Sequence, residues 1–152
     1  MLRPHLSGPA AVALVALVAA CGGTEEAPAP TPTPVTYAAV QAVLTRACAF
    51  SSCHFTMARA GAGLRLGEGD SYAALVRVPS TQVPRLMRVQ PGDPAASWLM
   101  HKIDNTLSAV TECRAAGNTC GTSMPERSEL LPAAERDLIR RWIAAGAPGP
   151  TP

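Results

Sequence analysis

The feature that most constrains the fold of this chain is a short segment, residues 48–54, which reads CAFSSCH. It holds two cysteines, Cys48 and Cys53, and the second is followed directly by His54. Covalent attachment of haem needs this combination, because each thiol adds to one vinyl group of the porphyrin and the adjacent imidazole is held as an axial ligand. Four residues separate the cysteines instead of the usual two, but the Cys-His junction is intact. The segment therefore predicts a haem around which the chain folds.

The start of the chain is typical of an export signal. Arg3 and His5 lie in a short polar region, and residues 10–20 are only Ala, Val and Leu, a run too short to span a bilayer. The run ends in small residues directly before Cys21, which resembles the lipobox of bacterial lipoproteins. Ordinary cleavage near Ala20 is the alternative. We expect residues 1–20 to be a signal peptide and the mature protein to be exported and anchored to a membrane through lipid on Cys21, facing the periplasm or the cell surface.

Composition divides the rest of the chain into a tether and one small domain. Residues 21–34 follow the signal with the lipidated cysteine and a Pro/Thr-rich linker that has no apolar side chains to bury. Residues 35–148 are enough for one domain, and residues 149–152 form a tail. Only two each of Phe, Tyr and Trp are present, a thin core that suggests support from a cofactor or cross-links. A net charge of +2 without a block of like charge indicates no nucleic-acid surface.

Helical periodicity dominates the domain, and no segment alternates over the length of a strand. Helices are expected over residues 36–47 with Thr36 as N-cap, over 70–76 with Asp70 as cap, from Asp93-Pro94 onward, and over 132–145. The glycine-rich residues 60–69 are expected to form a loop whose Leu64 and Leu66 enter the core. Residues 105–124 are expected to form a long loop. The predicted fold class is all-α.

A low-spin haem iron needs a second axial ligand opposite its histidine. The mature chain offers one further histidine and four methionines, namely His101, Met57, Met87, Met100 and Met124. Met57 is too close in sequence to His54 to cross the macrocycle easily, His101 projects from the middle helix toward water, and Met100 lies beside an apolar face as a core residue. Met124 lies in an irregular loop outside any apolar stripe, and Pro125 fixes its backbone. We predict His54/Met124 ligation, which favours Fe(II).

The order of these motifs resembles the cytochromes c of class I type, and more narrowly the cytochrome c-like domains of bacterial exported lipoproteins. The shared motifs are CAFSSCH at 48–54, PGDPAAS at 91–97, Met124-Pro125 and WIAAGAP at 142–148. The resemblance covers most of residues 35–148. It implies a small helical fold around one haem c, with the first and last helices crossing. It also implies Cys48 and Cys53 as thioether positions, His54 as proximal ligand and Met124 as distal ligand.

The function implied by the resemblance is that of an electron carrier rather than an enzyme, since no catalytic constellation stands out. Its redox partner proteins are not identified by the sequence. Arg85 and Arg88 are candidate partners of the haem propionates. The default expectation for both arginines is that they lie on the solvent-exposed surface. The loop with Cys113 and Cys120 is an addition to the simplest members of the family. A local disulfide is the natural reading of these two cysteines, and it is expected to hold the Met124 loop.

Two alternatives explain the cysteines without haem. Disulfides Cys48–Cys53 and Cys113–Cys120 would stabilise a surface lipoprotein that acts as a structural or interaction module. Alternatively, the four cysteines would ligate zinc, with His54 as a substitute ligand. The disulfide alternative leaves unexplained why His54 follows Cys53. Zinc is disfavoured because exported cysteines tend to oxidise and neither pair has the short two-residue spacing.

Overall fold

A computed structural model of the chain describes residues 35–55, 63–114 and 120–151. These residues belong to one compact unit, Thr33–Pro152. The predictions for the signal peptide, the lipidated Cys21, the linker and Met57 lie outside the described residues. Within the described ranges, no helix combines the length and the apolar character that crossing a bilayer requires.

Helices supply the regular secondary structure of the described residues. They are α1 (Tyr37–Ala47), α2 (Ser71–Leu75), α3 (Trp98–Ile103), α4 (Thr111–Arg114) and α5 (Ala133–Ala144), with a 3-10 turn at Leu107–Ala109. Extended pairing in the same residues is limited to isolated bridges, such as the one between Val76 and Val89. The prediction of a mostly α protein is confirmed.

The first helix begins as its sequence predicts. Thr36 has an extended backbone, and its side chain accepts a hydrogen bond from the Ala39 N–H at 3.3 Å, which satisfies a donor left free at the helix start. Val40 and Leu44, four residues apart, are fully buried on the face that meets the core. The helix ends at Ala47 and delivers the chain into the cysteine segment.

The prediction that the middle helix begins at Asp93-Pro94 was wrong. The Asp93 carboxylate accepts from the Ala96 N–H at 3.0 Å, and the Ser97 N–H donates to the Pro94 carbonyl at 3.2 Å. These bonds close a turn, and α3 begins only at Trp98. Aspartate and proline favour such turns as strongly as they favour a helix start, and here the turn prevails.

The predicted long loop over residues 105–124 was also wrong in part, because it contains the 3-10 turn and α4. Leu107, Val110 and Cys113 recur every third residue, and all three are buried. They form a second, smaller apolar cluster with Val83, Leu86, Trp98 and Cys120. Packing of this short apolar stripe stabilises the helical turns of the segment.

The first and last helices pack against each other. The rings of Tyr37 in α1 and Trp142 in α5 are 5.5 Å apart between centroids. Near the other end of α1, Arg46 forms an ion pair with Glu135 at the start of α5. The apolar stripe predicted for α5 is buried, with Ile139, Trp142 and Ile143 excluded from solvent and Leu138 packed against the same core.

A pair of arginines ties α5 to the end of α3. The Asp104 carboxylate accepts one hydrogen bond from Arg136 and one from Arg140, each at 2.7 Å. The Asp104 side chain is only 16% exposed, so this network is shielded from solvent more than an ordinary surface ion pair. The link fixes α3, which forms one wall of the site, against the helix that carries most of the core.

Candidate functional site

A cavity of about 430 Å³ lies between the end of α1, helix α3 and the loop that precedes α5. This volume is in the range typical of small-molecule and cofactor sites. Its walls are mostly apolar and include Leu64, Leu66, Leu75, Trp98, Leu99 and Ile103. The four residues that the sequence assigns to haem also line it, namely Cys48, Cys53, His54 and Met124. The fold thus brings His54 and Met124, 70 residues apart in the sequence, to the same cavity.

A tight turn accommodates the four residues between the two cysteines. The Phe50 carbonyl accepts from the N–H of Cys53 at 2.9 Å and from that of Phe55 at 3.1 Å. The His54 N–H then donates back to the Cys48 carbonyl at 3.2 Å. The segment folds onto itself, so the wider spacing does not separate the first cysteine from the histidine.

The two cysteines of the segment are free thiols in unlike surroundings. Cys48 is 9% exposed and belongs to the main apolar core, whereas Cys53 is exposed to solvent. Burial, with a smaller contribution from Cys53, raises the pKa of Cys48 to about 11. The buried thiol therefore remains protonated at neutral pH, because the apolar surroundings disfavour its anion.

Alkylation of the haem-free protein should separate these two thiols. With a pKa of about 11, Cys48 holds a thiolate fraction on the order of one in a thousand at pH 8. Iodoacetamide should therefore modify Cys53 first, and the Cys48 rate should rise about tenfold per pH unit up to pH 11. Mass spectrometry of the intact protein over time measures both rates, and Cys53→Ser gives the Cys48 rate alone. Equal rates for the two thiols at pH 8 would contradict the burial of Cys48.

The His54 ring is oriented by a main-chain carbonyl. Its Nδ1 lies 3.0 Å from the Leu64 oxygen. A carbonyl oxygen only accepts, so Nδ1 carries a proton, and in the neutral ring Nε2 keeps its lone pair. A metal-binding histidine needs this tautomer, and a carbonyl is a common partner for the nitrogen that does not bind the metal. The Leu66 N–H also donates to the His54 carbonyl at 2.7 Å, which attaches the segment to the loop at residues 63–66.

The structure confirms two predictions for this loop and adds a role that the sequence did not reveal. Leu66 is 2% exposed and Leu64 packs against the core, as predicted for both. The carbonyl of Leu64 as partner of the histidine was missed, since a main-chain acceptor has no signature in the residue type.

The other candidate axial ligands that the structure describes do not line the cavity. His101 is engaged at both ring nitrogens, with Nδ1 3.0 Å from the Thr106 hydroxyl and Nε2 3.1 Å from the Ala95 carbonyl. Met100 is 4% exposed and lies in the core, as predicted. Met87 is half-buried outside the cavity. Of the described candidates for the second ligand, Met124 alone lines the cavity.

The loop that carries Met124 is fixed at several points. Its N–H donates to the Lys102 carbonyl in α3 at 2.9 Å. Four residues earlier, Cys120 is bonded to Cys113 in the predicted disulfide, with an S–S distance of 2.05 Å. A zinc site built from all four cysteines is inconsistent with this bond, because disulfide sulfurs are not thiolate ligands. The described residues also contain no group of three or more His, Cys, Asp or Glu that could hold a metal ion.

Of the two arginines considered for haem propionates, one lies at the cavity. Arg88 lines it, and its Nη1 donates to the Ala74 carbonyl at 2.8 Å. Burial lowers the pKa of Arg88 from its ordinary value. Arg85 does not line the cavity and instead pairs with Glu112, its Nη2 lying 2.8 Å from Oε2.

Polar groups also line the cavity. They come from residues 80–82, from Lys102 in α3 and from the loop before α5 at Thr122, Glu126 and Ser128. The lining thus combines apolar and polar side chains, as an amphiphilic cofactor requires. Sequence reasoning missed this polar set. The one available signal was that Lys102 is the only lysine of the chain.

Comparison of the chain with models of protein families, with curated proteins and with solved structures found no match.

Proposed function

We propose that this domain is a c-type cytochrome, a membrane-tethered carrier of single electrons with the small helical fold of that family. Haem would be attached at Cys48 and Cys53 and ligated by His54 and Met124. The observation that carries the proposal is that two free thiols, an imidazole and a thioether all line one largely apolar cavity. Three of these groups come from residues 48–54, and the fold brings the fourth, Met124, from 70 residues away.

The residues at the cavity fit a haem. The Leu64 carbonyl holds the His54 ring with Nε2 free, and the adjacent thiols suit covalent attachment. The apolar side chains exclude water, and the half-buried Met124 offers a neutral sulfur. When bound, haem supplies a one-electron couple between Fe(III) and Fe(II) in which no substrate bond is made or broken. We propose a carrier rather than an enzyme.

The haem-free alternative is supported by one of its two disulfides. Cys113 and Cys120 are bonded, but Cys48 and Cys53 are free thiols. A structural module cross-linked at both pairs would need the second bond as well. That alternative also gives no use for a histidine with an available Nε2 at a cavity wall.

Absorption spectroscopy tests the proposed function. The exported protein, made in a host with haem-attachment machinery, should show a Soret band and, after dithionite, sharp α and β bands. The haem should survive acid–acetone extraction, because thioether bonds are covalent. The Cys48→Ser/Cys53→Ser variant is the control and should lose extraction-resistant haem. A folded wild-type protein with only protein absorbance would overturn the proposal.

The distal ligand can be tested with an isosteric change. Met124→Leu keeps the side-chain volume and removes the sulfur, so it should abolish the weak red band of sulfur-to-iron charge transfer while covalent haem remains. The reduction potential should fall, because thioether ligation favours Fe(II). Met87→Leu is the matched control, since Met87 lies outside the cavity. A band that persists in Met124→Leu would assign the ligand elsewhere.

A further inference from the structure

Lys102 places a cation in the interior beside the cavity. The residue is 7% exposed and lines the cavity from α3. Its Nζ donates to the Cys120 carbonyl and, at 3.0 Å, to the Thr122 carbonyl. It also lies 5.2 Å from the centroid of the Trp98 ring. No carboxylate oxygen of the described residues is within ion-pair distance of Nζ, so its close partners are main-chain dipoles and an aromatic face.

Burial of an ammonium group is costly unless its donors are satisfied. The cost is evident here, because burial lowers the pKa of Lys102. Twelve of the thirteen Lys and Arg residues are arginine, and the single lysine occupies this buried position. A compact ammonium on a flexible stem can converge on two carbonyls and a ring face, whereas a planar guanidinium cannot do so in the same space. The residue type therefore matches a specific geometric task.

Both carbonyls bound by Lys102 belong to the loop that carries Met124. Between the two carbonyls bound by Nζ lies Gly121, whose φ of +66° belongs to the region that side chains disfavour. A Cβ there would lie 3.7 Å from Nζ. The Lys102 main-chain carbonyl also accepts from the Met124 N–H. One residue of α3 thus binds the loop at three points, two through its side chain and one through its backbone.

A second side chain reinforces the same loop. Gln82 donates from Nε2 to the Cys120 carbonyl at 3.0 Å, and its Oε1 accepts from the Trp98 indole at 3.2 Å. The Cys120 carbonyl therefore receives two hydrogen bonds at the point where the disulfide joins the loop. The disulfide fixes where the loop begins, while Lys102 holds the residues that lead to Met124.

We propose that Lys102 is a positioning residue that holds the Met124 sulfur at the cavity by binding the Cys120 and Thr122 carbonyls through its ammonium group. The consequence for iron ligation rests on the proposed function. The contacts of the Lys102 ammonium with the Cys120 and Thr122 carbonyls, here called the clamp, lie within the chain. They can therefore be tested without haem.

Oxidation of methionine by hydrogen peroxide tests the clamp in the haem-free chain. Lys102→Leu removes the ammonium and keeps an apolar side chain, so Met124 should form its sulfoxide about tenfold faster or more, which is the change expected from losing one charge-assisted hydrogen bond. Met100, buried in the core, is the internal reference and should remain protected. Arg127→Leu is the matched control, because it removes a 91% exposed cation from the same loop region. An unchanged Met124 rate in folded Lys102→Leu would overturn the proposal.

A measurement on the wild-type chain covers the case in which Lys102→Leu fails to fold, recognised by Met100 oxidising as fast as Met124. Because the chain has one lysine, its side-chain ammonium gives a single, assignable nitrogen-15 signal in NMR. Buried and hydrogen bonded, this group should exchange its protons with water slowly and should remain visible at neutral pH. Exchange at the rate of an exposed lysine would overturn the proposal.

The haem-loaded protein separates this proposal from the function on which it depends. In the loaded protein, Lys102→Leu should weaken the sulfur-to-iron band while covalent haem is retained. If the wild-type chain takes up no haem but Met124 oxidation still depends on Lys102, the clamp stands and the proposed function fails. If haem binds with Met124 as ligand but neither the oxidation rate nor the band responds to Lys102→Leu, the function stands and the clamp fails.

Discussion

If the domain carries haem as proposed, replacing His54 with alanine should abolish the six-coordinate haem spectrum and sharply reduce the yield of loaded protein. Among the described residues, His54 is the only histidine at the cavity, and its Nδ1 hydrogen bond leaves Nε2 available. Under the proposed ligation, the iron would then lose its proximal nitrogen and keep only the Met124 thioether as an axial ligand. Absorption spectra of loaded protein, normalised to protein concentration, measure both effects.

His101→Ala is the matched control. Like His54, this residue is half-buried. Both of its ring nitrogens are engaged, by Thr106 and Ala95, and it does not line the cavity. The variant should keep the wild-type spectrum. Added imidazole should restore part of the six-coordinate spectrum to any haem that remains in His54→Ala, because the truncation leaves space where the ring was. The reverse pattern, with His101 required and His54 dispensable, would refute the assignment of the proximal ligand.

The parts of the site that the sequence predicted are those for which residue type and spacing express a chemical requirement. The cysteines and His54 lie within one short segment, and Met124-Pro125 is distinguished by lying outside every apolar stripe. The structure brings both segments to one cavity. The helices α1 and α5 were similarly predictable, because each has an apolar face that recurs at helical spacing and ends at a recognisable cap or glycine.

Lys102 shows why the remainder was not predictable. Local periodicity offers a lysine no reason to be buried, and its burial depends on carbonyls that lie 18 and 20 residues further along the chain. Those acceptors belong to the main chain, so the residue types give no sign of them. The prediction of where α3 begins failed for a related reason. The hydrogen bond from the Ala96 N–H to Asp93 is equally compatible with a turn and with a helix cap.

Trp142→Ala should cause the largest loss of stability among single core substitutions in this domain. The side chain is fully buried, and its ring lies 5.5 Å from that of Tyr37 and 6.4 Å from that of Tyr72. The indole N–H donates to the Pro148 carbonyl at 2.9 Å, which holds the chain after α5 against the core. Truncation leaves a large cavity and frees this carbonyl.

The expected loss in the free energy of unfolding is about 3–5 kcal/mol, a large share of the 5–15 kcal/mol typical of a domain. Urea unfolding of the haem-free protein, followed by circular dichroism, measures it. Arg141→Ala, an exposed change in the adjacent position of α5, should alter stability by no more than about 0.5 kcal/mol. The loss in the free energy of unfolding for Trp142→Phe should fall between those of Trp142→Ala and Arg141→Ala. Phenylalanine keeps an aromatic ring at this position but lacks the N–H donor. A loss below about 1 kcal/mol for Trp142→Ala would mean that the contact between α1 and α5 is not the main support of this core.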